Sequence, residues 1–465
     1  MSDLLGMSAV DLAAALRRRE LSAVEVVQAA LARAAATSEL GAFVEVTAER
    51  ALEQAARRDA AAPAGPLWGI PIADKDLVAR AGVPTRYGSR TRVDFVPTAS
   101  DPLAAALDRV GAVSIGKTST SEFGLTGYTE PLEGGAWARD PWNPAHGAGG
   151  SSGGAAVAVA AGVLAIAPGS DGGGSIRIPA ATVGVVGLKP SRGRLPLGSG
   201  LDAPDGLAVA GPIAGTVEDA AFFFDALCGL APYDFSVRAA DSPPFLPATA
   251  ADPPRLRVGV TTVSPWDDDL EIAVDPAAIG ALDEAARSLA SEGHVVEDAA
   301  WRPHGYGPLF RVLWRASAAR IPLTDDDLRM VEPLTAWLVR EGRALDARGL
   351  LGALAEARVF ERETIAAFAP YDVVLTPALA QTPRPIGWYD RDDPERGFAQ
   401  QVEYAPFSSF VNVAGLPALV LPLVMAAGHP VSVQLIGRPG GERTILAAAA
   451  QLERLRGALP RPPAP

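Results

Sequence analysis

The chain has 465 residues, 48% of them hydrophobic and 20% charged, and it carries a net charge of −13. That composition excludes a disordered chain, and its acidic surface repels phosphate backbones, which argues against a nucleic-acid partner. The length exceeds the ~250–300 residues at which one core usually stops growing, so two domains or one large layered domain are both allowed.

Residues 1–10 lack a basic stretch followed by an apolar block, so no secretory signal is expected. Residues 8–33 repeat apolar side chains at helical spacing, and Ser22 with Glu25 reads as a capping box. A second amphipathic helix covers 48–62, and alternation around Ile70 and Ile72 predicts a strand over 68–78. Residues 101–110 read as helix and 112–115 as a short buried strand. The Gly-, Pro- and Ser-rich run 134–154 predicts an irregular loop. Helix 155–161 and strand 163–167 follow, then a Gly-rich turn over 168–175 and an apolar strand over 183–188. Residues 155–167 form the longest apolar stretch, shorter than the ~18 residues a membrane span needs, so no membrane contact and a cytoplasmic location are expected. Helix 217–230 holds Cys228, the sole cysteine, read as a buried small side chain. Without a second cysteine no internal disulfide can form, which suits a reducing compartment.

Beyond that helix, 232–254 reads as a polar linker-like excursion. Strands follow over 255–260, 371–376, 416–423 and 431–436, with helices over 278–292 and 443–455 and a Pro-rich tail, 460–465, expected to be disordered. Helices alternating with short apolar strands give an α/β class with a largely buried sheet.

Two motifs invite misreading. Residues 111–118 fit the phosphate-loop pattern GxxxxGK[ST], but a helix precedes them and the loop interior is itself strand-like, so they read as a helix cap, a strand and a surface Lys117. Residues 149–153 fit the GxSxG nucleophile elbow, but the proline-bearing approach 140–148 cannot be a central strand. That elbow also needs a His base. His294, His304 and His429 lie far downstream in ordinary settings, and His146 reads as a loop hydrogen-bonder. Four scattered His and one Cys form no metal-ligand cluster, so neither metal nor cofactor is expected.

A different constellation carries chemistry. Lys75 lies in an apolar strand, and burial there would lower its pKa and leave a neutral amine able to act as a base; the alternative is a surface lysine paired with Asp74 or Asp76. Two Gly-Ser runs, GGSSGG at 149–154 and DGGGSIR at 171–177, bracket a helix and a strand. Three glycines before a serine let several backbone N–H groups converge on one point, as an oxyanion site requires.

These segments, together with GIPIADKD, GAVSIGKTSTSEF, PWNPA, GLKPS, GPIAGTVEDAA and GLPALVLP, make the chain resemble the amidase signature family along nearly its whole length. Within that family, DGGGSIRIPA and EFGLTGYTEP look most similar to the branch of nylon-oligomer cyclic-amide and urethane hydrolases. The resemblance implies one α/β/α amidase domain over 1–465, with a signature core at 60–225 and a large mixed central sheet. It implies Ser175 as nucleophile, Ser151 as a bridging serine at a non-proline cis peptide, and Lys75 as base. The N–H groups of Gly172, Gly173, Gly174 and Ser175 would form the oxyanion hole, while Asp171 and Arg177 would brace the turn. Thr126 and Tyr128 are candidate substrate contacts; Trp314, Trp388 and Tyr389 either line a broad apolar mouth or are ordinary core and surface aromatics. The expected substrate is a small, fairly apolar amide, with cyclic amides, anilides and carbamates in reach, and the expected state is a monomer or homodimer. Two alternatives stay open: an amidotransferase subunit that needs a partner chain, and an α/β-hydrolase esterase.

Overall fold

The computed structural model describes residues 4–132, 136–196, 206–228, 230 and 242–463. Three strands, β1 (Phe43–Val46), β2 (Pro71–Lys75) and β3 (Val113–Thr118), form a small sheet in the order β1-β3-β2. A hairpin pairs β4 (Arg139–Asp140) with β5 (Asn143–Gly147). The main sheet contains β6 (Ile166–Asp171), β7 (Val186–Lys189), β8 (Val209–Ala214), β9 (Arg257–Val260), β10 (Val295–Asp298), β11 (Val373–Pro377), β12 (Ala418–Ala426) and β13 (His429–Gly437). Its order is β10-β9-β11-β13-β12-β7-β8-β6. The first three strands run parallel and the remaining pairs antiparallel, so the expected mixed sheet is present.

Alternation along the central strands builds the layers. Val373 and Leu375 join one hydrophobic cluster, with the helices Pro276–Ser291 and Glu442–Arg456, while Val374 between them joins a second, with the helices Tyr306–Ala319, Pro333–Arg343 and Ala347–Phe368. The sheet is thus covered on both faces, as its nearly continuous apolar strands require.

Several expectations are corrected. The periodic run 8–33 is two helices, Ala9–Arg17 and Ala23–Ala36, because the chain breaks at Arg19 (φ 57°) and restarts at Ser22, whose capping box with Glu25 is complete. The turn expected over 168–175 begins later, since β6 runs on to Asp171. Pro168 is tolerated because β6 is an edge strand and Pro168 faces Pro212 on β8, a pair that has no N–H to exchange. The loop expected over 134–154, of which 134 and 135 lie outside the described residues, contains the β4–β5 hairpin. That two-stranded hairpin lies outside the main sheet, so the GxSxG serine still does not follow a central strand. Of the linker-like stretch 232–254, residues 232–241 lie outside the described residues. The remainder is anchored: Phe245 is fully buried against Phe224, and its N–H donates to Asp225 at 2.7 Å. In the tail, 464–465 lie outside the described residues, and Arg461 reaches the carbonyl of Gly6 at 3.4 Å.

Lys117 is not at the surface. It is fully buried, ion-paired to Asp76 at 3.1 Å and donates to Val78 O and Thr85 Oγ1 at 2.8 Å each. The phosphate-loop lookalike is therefore a buried strand whose lysine is consumed internally. Cys228 caps the helix Val217–Leu227 and is half-buried; burial pushes its thiol up to about 11, so it stays protonated at neutral pH. Among the described residues no helix is long and apolar enough to cross a membrane.

Candidate active site

The site forms where chain segments end. Lys75 is the last residue of β2, which lies alongside β6, and Asp171 is the last residue of β6. The Gly150–Ser151 peptide is cis, and the helix Gly153–Ala160 begins directly after it. Ser175 stands just before the helix Arg177–Val183, and its carbonyl accepts from Ser152 N at 3.1 Å, which ties the two serine segments together.

Lys75 is 1% exposed. Its Nζ lies 2.7 Å from Ser151 Oγ, 3.0 Å from Ser170 Oγ and 3.2 Å from Ser170 O. No carboxylate pairs with it among the described residues. Asp74 is engaged by Arg80 and Ser114, and Asp76 by Lys117, so the surface-pair alternative does not hold. Burial pushes the Lys75 amine down to about 7, against the opposing pull of Asp171. Near neutrality a large share of the amine is uncharged.

Ser151 is 1% and Ser175 is 7% exposed. Ser175 Oγ has no hydrogen-bond partner among the described residues, so the Lys75–Ser151 link is made and the Ser151–Ser175 link is open in this state. Catalytic hydrogen bonds often tighten only when substrate binds.

The oxyanion assignment needs one correction. Gly174 N donates to Asp171 Oδ1 at 2.7 Å and is not free to meet a substrate oxygen. The N–H groups of Gly172, Gly173 and Ser175 have no acceptor among the described residues and remain available. Gly174 is needed for another reason: its φ is +130°, and a Cβ there would stand 2.8 Å from Ile178 Cδ1 and collide with Ser408.

Beneath the loop, Asp171 receives Arg177 at 2.9 and 3.0 Å and Asn412 Nδ2 at 2.9 Å. Arg177 also donates to Gln434 Oε1 at 2.8 Å and Ser408 O at 2.9 Å. This guanidinium holds the Asp171 carboxyl well below the usual carboxylate range. Asp171 and Arg177 do brace the turn, whereas Asn412, Gln434 and Ser408 were missed because they lie more than 200 residues downstream. Replacing Arg177 with Met leaves Asp171 buried and unpaired. The expected loss is about 3–5 kcal/mol in urea unfolding, together with loss of turnover.

Other singled-out residues separate clearly. Thr126 Oγ1 donates to Tyr128 O at 2.9 Å, and the Tyr128 hydroxyl points to Glu332 at 3.3 Å while its ring stacks on Tyr389 at 4.2 Å. Both side chains are buried and spent inside the protein, and the Tyr128 backbone packs against Gly150. Trp388 packs edge-on against Tyr389. Trp314 does reach the site. A Cβ on Gly172 would come within 3.4 Å of its indole, and one on Gly173 within 3.4 Å of Phe310, which stacks on Trp314. The Trp314 N–H donates to Leu125 O at 3.2 Å, fixing the indole as a wall between two loops.

No histidine hydrogen-bonds to either serine among the described residues. His294 binds Leu256 N and Gln451, His429 binds Asp140, and His304 faces Asp268, while His146 lies on β5 and bridges to Pro385 through its backbone. No His, Cys, Asp and Glu grouping suited to a metal ion occurs among the described residues.

Residues 25–446 match the family model described as Amidase. The chain belongs to the amidase family. This amidase is 34% identical to a putative amidase of Synechocystis sp. over 475 residues, covering 99% of this chain and 91% of that one. It is 32% identical to a glutamyl-tRNA(Gln) amidotransferase subunit of Chloroflexus aurantiacus over 488 residues, 98% of each chain. Among solved structures, 6-aminohexanoate cyclic dimer hydrolase complexed with substrate superposes with a TM-score of 0.89 at 30% identity, over 98% of this chain and 99% of that one. A bacterial aryl acylamidase shares the fold, with a TM-score of 0.86 at 24% identity over 96% of each chain. The resemblance read from the sequence, its branch and its fold are borne out. The amidase is a hydrolase acting on amide C–N bonds.

Proposed function

We propose that this amidase works without a partner chain, as one domain, on small and fairly apolar amides, through an acyl-enzyme on Ser175. The observation that carries this reading is the buried Lys75 amine, held near neutrality and 2.7 Å from Ser151 Oγ, with no carboxylate ion-paired to it among the described residues.

Uncharged Lys75 takes the Ser151 proton as Ser151 takes the Ser175 proton, and Ser175 Oγ attacks the carbonyl carbon. The negative charge that develops on the carbonyl oxygen is met by the free N–H groups of Gly172, Gly173 and Ser175. Collapse of the tetrahedral intermediate breaks the C–N bond. The proton held by Lys75 returns through Ser151 to the departing nitrogen, which cannot leave as an anion. Water then repeats the path and releases the acid. Trp314 and Phe310 offer a flat apolar wall beside the acyl carbon, which supports an apolar acyl group; cyclic amides enter as candidates through the likeness to the cyclic dimer hydrolase.

The likeness to the amidotransferase chain supports a second reading, ammonia release from glutamine with a partner chain. A panel of an anilide, a cyclic amide, a carbamate, an aryl ester and glutamine, given to the purified chain and to its Ser175→Ala variant, separates the two. Turnover of an anilide or cyclic amide by the chain alone supports the first reading. Activity on glutamine alone, and only with a partner, supports the second. For whichever substrate turns over, kcat/KM should rise with pH through a single ionisation near 7, because the base acts only after losing its proton. A profile flat between pH 6 and 8 would contradict this assignment.

A further inference from the structure

We propose that Ser170 is a positioning residue that aims the lone pair of Lys75 at Ser151. The inference rests on Lys75 being the base, and it comes from counting hydrogen-bonding valences. An ammonium has three N–H groups, while a neutral amine has two and one lone pair. Among the described residues Lys75 Nζ has three neighbours within bonding distance: Ser151 Oγ, Ser170 Oγ and Ser170 O. When the amine is neutral, the carbonyl and hydroxyl of Ser170 accept both of its N–H bonds. The lone pair is then left facing Ser151 Oγ, the one neighbour whose proton must be taken. Ser170 is itself held: Ser152 Oγ donates to Ser170 O at 3.2 Å, and Ser170 N donates back to Ser152 Oγ at 3.4 Å. Its place on β6, one residue before Asp171, fixes it relative to the nucleophile loop.

Without the Ser170 hydroxyl, one amine N–H in a buried site has no acceptor and turns toward Ser151, so the lone pair points elsewhere. The hydroxyl also accepts from the charged form and stabilises it, so deleting it lowers the Lys75 pKa.

The test compares wild type with Ser170→Ala, Ser170→Thr and Ser170→Val on an aryl ester and an anilide, with thermal unfolding as the check on folding. Threonine and valine have nearly the same shape, so that pair isolates the hydroxyl even where alanine destabilises the strand. Expected are a fall in kcat of about 10- to 100-fold for Ala and Val with little change in KM, an acid limb of kcat/KM moved to lower pH, and recovery in Ser170→Thr. Wild-type kcat in Ser170→Val, an unmoved acid limb, or a Ser170→Thr no better than Ser170→Val overturns the inference. Lys75→Ala run in parallel separates the two levels. If it is inactive while Ser170→Val is normal, only the role of Ser170 falls; if it is active, the base assignment falls as well.

Discussion

Replacing Ser175 with alanine should lower kcat by roughly 10⁵- to 10⁶-fold, the scale on which a serine hydrolase loses turnover when its nucleophile is removed. No neighbour can take its place. Ser151 is 1% exposed and engaged by Lys75, and Ser170 is likewise bonded to Lys75. The substitution should leave folding intact, because among the described residues Ser175 Oγ holds no partner that would be orphaned. Substrate binding should also survive, since the Trp314–Phe310 wall and the free N–H groups remain. The measurement is single-turnover kinetics beside urea unfolding. Residual turnover within tenfold of wild type would move the nucleophile elsewhere.

Lys75→Met should lower kcat by roughly 10⁴- to 10⁶-fold, the range seen when a member of a catalytic triad other than the nucleophile is lost, with loss of the base at the upper end. Its effect on stability should run the other way. A methionine fills much of the same volume without burying an amine, and replacing buried charge by apolar bulk is often neutral or stabilising. The Ser151 and Ser170 hydroxyls lose an acceptor or donor, which offsets part of that gain. Denaturant unfolding that shows the variant at least as stable as wild type, beside collapsed turnover, would mark Lys75 as kept for function at the expense of stability.

Much of the site was legible in local pattern, because its parts are contiguous runs. A lysine inside an apolar strand foretold a buried amine, and glycines before a serine foretold free N–H groups. The same reasoning exposed the phosphate-loop lookalike, although it left Lys117 at the surface; the acid that buries it, Asp76, lies on a neighbouring segment more than 40 residues upstream. It also counted Gly174 among the oxyanion donors, because a run of glycines does not show which N–H a nearby carboxylate will claim. Asn412, Gln434 and Ser408 escaped notice because their partners lie on β6 and the nucleophile loop, so no local periodicity marks them. Ser170 falls inside a turn by local pattern, since Pro168 masks a strand that pairing with β8 sustains. Trp314 could not be separated from Trp388 and Tyr389 by sequence; the fold sets the first against the glycine loop, while Trp388 packs on Tyr389 and Tyr389 on Tyr128.

The most direct test follows the rate at which a fluorophosphonate modifies the enzyme as pH is varied, with the label located by peptide mapping. Reaction should occur on Ser175, accelerate through one ionisation near 7, and nearly vanish in Lys75→Met. A label on another residue, or equal rates with and without the lysine, would show that a buried neutral amine does not drive this chemistry.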